Sequence, residues 1–102
     1  MTVYVDDFAH RVGNRIWFHM MADTDTELHR FADDLGLKRE WYHNDHYDIT
    51  SAVKSRALRK GAQQVTAKFL VELRKRKRRG ALPITPDRED LRPIRWRSGD
   101  TT

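Results

Sequence analysis

The chain has 102 residues, enough for one domain with a single modest core, and 38% of them are hydrophobic against 34% charged. It has no cysteine, which excludes a disulfide framework and thiolate metal sites and points to a reducing, cytoplasmic setting. No apolar run approaches membrane-spanning length, so a membrane partner is not expected.

In chain order, Thr2-Val3-Tyr4-Val5 alternates β-formers and predicts a strand with Val3 and Val5 facing in and Asp6-Asp7 at its end. Residues 8–12 carry no clear pattern. Gly13-Asn14 supplies turn chemistry, and Arg15 to Met20 reads as a second strand, apolar on both faces and therefore central. Thr24-Asp25-Thr26-Glu27 is a capping box. Leu28, Phe31, Ala32 and Leu35 follow at helical spacing, and Gly36 closes that helix with Leu37 placed for a Schellman contact.

A second helix is expected from Thr50 or Ser51 to Gly61, burying Val53 and Ala57, then a short strand over residues 62–65. Thr66 caps a third helix with a buried stripe of Phe69, Leu70 and Leu73. Arg74, Lys75, Arg76, Lys77, Arg78 and Arg79 are all basic, and Gly80 ends the element. Pro83, Pro86 and Pro93 then forbid a continuous helix. The expected fold is α+β: residues 1–80 form a compact domain of two or three short strands packed with three helices, and residues 81–102 an extended or partly disordered tail. Within that tail Pro93-Ile94-Arg95-Trp96-Arg97 alternates and is expected to fold back as an edge strand.

The net charge of +5 hides a segregation: residues 1–50 carry five Lys/Arg against ten Asp/Glu, and residues 51–80 eleven against one. Such an asymmetry suggests a polyanionic partner, nucleic acid above all. The six cations ending the third helix exceed what capping and the macrodipole require, so phosphate contact there, with Lys54 and Arg56 beside it, is one candidate role. A solvated basic face is the other.

Tyr4-Val5-Asp6-Asp7, His19-Met20, Ala22-Asp23-Thr24 and Glu27-Leu28-His29 resemble a bacterial and phage family, the domain of unknown function 4031. The resemblance continues through Trp41, His46-Tyr47-Asp48-Ile49, Gly61-Ala62 and Val65-Thr66, and so covers roughly residues 2–80. It implies a small phage-type protein and carries no activity with it.

The residues with most chemistry are His43-Asn44-Asp45-His46-Tyr47-Asp48, in what reads as a short connection. His43 and His46 can share one divalent ion, with Asp45 or Asp48 adding oxygen and Asp6 and His19 the nearest further donors, although the spacing matches no standard zinc pattern. Alternatively Asp6, His19 and His46 form an acid–base group, with Asp48 orienting an imidazole and the cations Lys54 and Arg56 holding a phosphate or carboxylate of the substrate. Structural roles compete: Asp48 can cap the following helix, Tyr47 can be a core aromatic, and His29 can pair with Asp33. There is no nucleotide-cofactor motif, no glycine-rich phosphate loop and no nucleophile elbow. Three functions follow as expectations. The first is a nucleic-acid- or phosphate-binding accessory protein working through residues 54–79. The second is a small hydrolase, acid–base or metal-assisted, using Asp6, His19, His46 and Asp48. The third is an inhibitor that binds a host protein.

Overall fold

The computed structural model describes residues 2–94. Its centre is strand β3 (Arg15–Ala22), eight residues long, with Phe18, Met20, Met21 and Ala22 buried and Trp17 and His19 half-buried. On one side β3 pairs with β5 (His46–Thr50), and on the other with β2 (His10–Val12) and then β1 (Val3–Asp6), all antiparallel. A short β4 (Tyr42–His43) extends the sheet beyond β5, and β6 (Gln63–Val65) adds parallel to β1 at the opposite edge. The sheet is mixed, in the order β4-β5-β3-β1-β6 with β2 beside β3.

The expected α+β class with three helices holds, but the described residues form six strands rather than two or three. The additional ones arise from hairpins. Gly13-Asn14 joins β2 to β3 with Val12 opposite Arg15, and Asn44-Asp45 joins β4 to β5 with Asn44 at φ 61. The His43–Asp48 run is therefore a hairpin, and its strand alternates Tyr47 and Ile49 on one face with His46 and Asp48 on the other.

Helices α1 (Asp25–Asp34), α2 (Ser51–Arg59) and α3 (Ala67–Arg78) are capped alike. Thr24, Thr50 and Thr66 accept from the backbone N–H three residues on. Gly36 at φ 78 permits the Schellman closure of α1, with Leu37 N–H donating to Ala32 O. Two sequence expectations are corrected here. Thr50, not Asp48, caps α2, because Asp48 still belongs to β5. The Thr24 box forms only its first half: Glu27 Oε1 is buried without a hydrogen-bond partner, and burial raises the carboxyl pKa.

Helices α1 and α2 cover one face of the sheet over Val3, Val5, Phe18, Met20, Tyr47 and Ile49. On the other face α3 buries Phe69, Leu70 and Leu73 against Tyr4, Met21 and Val65. That helix packs mainly on the β1–β6 side, and it reaches the face of β3 and β5 carrying Trp17, His19, His46 and Asp48 through Arg74, which contacts Asp45 and His46. The segment after α3 returns to the sheet: Leu91 bridges Val65 antiparallel, Arg92 N–H donates to Gln64 O, and the Arg92 guanidinium reaches Asp7 at 3.0 Å. Trp96 lies outside the described residues.

Beneath the first face, His29 meets Tyr47 rather than Asp33: its Nδ1 lies 2.8 Å from the fully buried Tyr47 hydroxyl. Burial, aided by the Arg39 charge, pulls the His29 pKa down. A histidine with a lowered folded-state pKa gives stability that is complete above its unfolded value and is lost as pH falls through the folded one. Urea midpoints at pH 7.5 and 5.0 are expected to fall more in the wild type than in His29→Gln; an equal fall would show that His29 does not contribute.

Candidate functional site

The second face gathers four chemically active side chains from three strands, Asp6 and His46 buried, His19 half-buried and Asp48 exposed. Val3, Tyr4 and Val5 pair with Ala22, Met21 and Met20, after which β1 departs and the next backbone position opposite His19 is lost. The Asp6 side chain takes over: Oδ1 accepts the His19 backbone N–H at 3.0 Å and Oδ2 lies 2.8 Å from His19 Nδ1. Asp6 is only 1% exposed, while its neighbour Asp7 is on the surface with Arg92, so the strand end holds one working carboxylate and one ordinary surface carboxylate.

His19 stands opposite Asp48 in the β3–β5 ladder. Its Nε2 is 3.6 Å from Asp48 Oδ1, and His46 Nε2 is 3.3 Å from the same oxygen. The two imidazole centroids are 5.1 Å apart, and one donor atom from each of His19, His46 and Asp48 lies within 4.8 Å of the other two. His46 is held like His19, with Nδ1 2.9 Å from Asp45 Oδ1. Arg74 of α3 crosses to the hairpin and places Nε 2.7 Å from Asp45 Oδ2. Its Nη2 also donates to Asp45 Oδ1, which explains the 3.3 Å approach of that nitrogen to His46 Nδ1: both are donors to one oxygen.

The electrostatics follow from these contacts. The hydrogen bond to Asp6 raises the His19 pKa; burial opposes it, and the Asp6 and Asp48 charges add to the rise. Burial pushes Asp45 up, but hydrogen bonds from His46 and Arg74 and the guanidinium charge outweigh it and leave the carboxyl below its ordinary value. Each imidazole therefore has its Nδ1–H given to a carboxylate, which in the neutral ring leaves Nε2 with a lone pair. Both Nε2 atoms lie within 3.6 Å of the same Asp48 oxygen. Acceptors this close repel one another until a proton on an imidazole or a metal cation lies between them.

Asp6, His19, His46 and Asp48 thus meet, whereas the ion shared by His43 and His46, expected from the sequence, has no such pair of donors among the described residues. His43 does not join the converging donors; it pairs with His46 across the hairpin, rings 5.7 Å apart, because adjacent residues of β4 and β5 meet side by side. Of the other cations, Arg56 donates to Leu35 O, and Lys54 lies 3.8 Å over the Phe18 ring, where burial lowers its pKa against the pull of Asp6 and Asp7. Arg76 donates to Leu82 O, Lys77 pairs with Asp25 at 2.8 Å, and Lys75 pairs loosely with Glu72 at 3.5 Å. Arg78 and Arg79 are exposed.

The sequence does not single out His10, and it singles out Asp45 and Arg74 for other roles. His10 brings its ring 5.3 Å from that of His19, Asp45 anchors His46, and Arg74 anchors Asp45. The Gly13-Asn14 turn was the available signal for His10, since a two-residue hairpin sets it opposite Trp17 and diagonal to His19. A cavity of about 120 Å³ runs beside the group, between Asp6 and His19 on the sheet and Leu70 and Arg74 on α3.

A family model described as "Protein of unknown function (DUF4031)" matches residues 3–77, which include every residue of this cluster. No curated protein and no solved structure matches the chain. No helix among the described residues is long and apolar enough to cross a membrane.

Proposed function

The chain belongs to the DUF4031 family of proteins of unknown function, and from the geometry of its own side chains we propose that it is a metal-dependent hydrolase whose divalent ion is held by His19 Nε2, His46 Nε2 and Asp48 Oδ1. The observation that carries this reading is the approach of both Nε2 atoms to one Asp48 oxygen. The His–Asp separations of 3.6 and 3.3 Å are close to the spacing of neighbouring ligands around an ion with bonds of about 2.0–2.2 Å, roughly 3–3.5 Å. Asp6 and Asp45 complete the pattern, since metal-bound histidines usually give their other N–H to a carboxylate. Two histidines and one carboxylate leave coordination positions free, as catalytic rather than structural sites do. When bound, such an ion polarises an ester oxygen and acidifies a bound water.

Within this reading His19, His46 and Asp48 hold the ion, and Asp6 and Asp45 keep the two rings in one tautomer. Arg74 neutralises Asp45 and fixes the hairpin to α3. His10, beside His19 and partly exposed, is the nearest imidazole left to move a proton. The positive balance of residues 51–80 favours a phosphate ester as substrate. The basic run itself is a weaker candidate for a nucleic-acid surface, because Arg74, Arg76 and Lys77 are committed to acceptors of the protein itself.

Titrating chelator-treated protein with Mn2+, Co2+ and Zn2+ by calorimetry is expected to give one site per chain for at least one ion. That ion is expected to switch on hydrolysis of bis(p-nitrophenyl) phosphate. Absence of uptake at millimolar concentrations of all three would sink the reading.

A further inference from the structure

Along Asp48, Ile49 and Thr50 an open cleft of about 530 Å³ crosses the edge of β5. It exists because β4 pairs only with His46 and Tyr47, so the edge of β5 from Asp48 onward is left without a β4 partner. Trp41, in a 3-10 turn (Arg39–Trp41) just before β4, stands on one wall and is 49% exposed. Trp17, opposite Thr50 in the β3–β5 ladder, also lines the cleft, with Leu37 and Val53 behind. Arg15, Asp48 and Thr50 supply its polar lining, and the Lys38 ammonium lies over one face of the Trp41 ring, 5.7 Å from its centroid, leaving the other face for a ligand.

We propose that this cleft binds the base of a free mononucleotide, stacked on Trp17 or Trp41, and directs its phosphate to the ion at His19, His46 and Asp48. The inference rests on the metal-dependent reading of that group and supplies its substrate class. Three observations argue for this occupant. Indole faces in an open cleft accept a flat heteroaromatic ring of any identity. The volume is that of a small-molecule site. Asp48 belongs both to the cleft and to the donor group, so a ligand seated on the indoles has its other end at the ion. Charge fits as well: Arg15 and Lys38 attract a phosphate, and the ion offsets the Asp48 carboxylate that would otherwise repel it.

The test uses the full chain and separates the two halves of the idea. Adenosine, which lacks phosphate, is titrated into chelator-treated protein and read by tryptophan fluorescence; saturable quenching is expected without metal. Trp41→Ala, an exposed position whose loss spares the core, is expected to weaken adenosine roughly 5- to 150-fold, the range for loss of one stacking partner, with Trp17→Ala as the second variant. Adenosine 5'-monophosphate is expected to bind more tightly than adenosine only when the ion is present. The inference is overturned if ribose 5-phosphate binds as well as the mononucleotide, or if neither tryptophan variant changes adenosine affinity. An octanucleotide binding more than about tenfold tighter than the mononucleotide would also overturn it, assigning the cleft to a strand. Adenosine binding with no gain from metal would count against the metal-dependent reading and leave the base site standing.

Discussion

Replacing His46 by alanine is expected to lower affinity for the divalent ion by more than about 100-fold, beyond the 10–100-fold that loss of an outer hydrogen-bond partner costs. The reason is geometric. His46 is 7% exposed, its Nδ1 is fixed by Asp45, and its Nε2 is the donor nearest Asp48 Oδ1. Without it, His19 and Asp48 remain as two ligands 3.6 Å apart, too few for a tight site. Because Arg74 still holds Asp45, the hairpin keeps its tie to α3 and the variant is expected to fold. His46→Gln, which fills more of the vacated space, serves as the control for packing. Calorimetry with the ion that the wild type prefers provides the measurement. Affinity within about twofold of wild type would remove His46 from the site.

The second large effect concerns a residue that touches no ion. Asp6→Asn is nearly isosteric, and its side-chain oxygen can still accept the His19 backbone N–H. Its amide nitrogen then faces His19 Nδ1 and donates to it, which forces the ring proton onto Nε2. A protonated Nε2 cannot bind a metal. Affinity is therefore expected to fall about 10–100-fold while thermal stability changes little. Asp6→Ala differs in kind: it leaves the His19 backbone N–H without its acceptor and is expected to destabilise the fold by about 1–3 kcal/mol. If the Asn variant loses stability rather than metal affinity, Asp6 is only a strand-end acceptor.

The helices were legible because each carries its own punctuation. Thr24, Thr66 and the glycines that follow each helix mark the ends, and Phe69, Leu70 and Leu73 all lie buried as their spacing indicates. The strands were harder to see. Residues 10–12 pair for three positions and Val12 stays 60% exposed, so no alternation betrays them. His46-Tyr47-Asp48-Ile49 does alternate, but with polar residues on one face it resembles a loop. The same polarity makes that face a candidate site. Contacts such as Arg74 with Asp45, 29 residues apart, depend on how α3 settles on the sheet, and no local pattern encodes that.

The return of residues 90–93 to β6 bears on how the molecule behaves among its own copies. A sheet ending in Gln63–Val65 would offer a bare rim of main-chain groups to any passing strand. Here Asp90 and Arg92 bond to Thr66 and Gln64, and Pro93, with no N–H of its own, takes the Gln64 amide on its carbonyl. Residues 90–93 thus work as a selvedge along β6, covering the main-chain groups that this strand would otherwise leave open to a second chain.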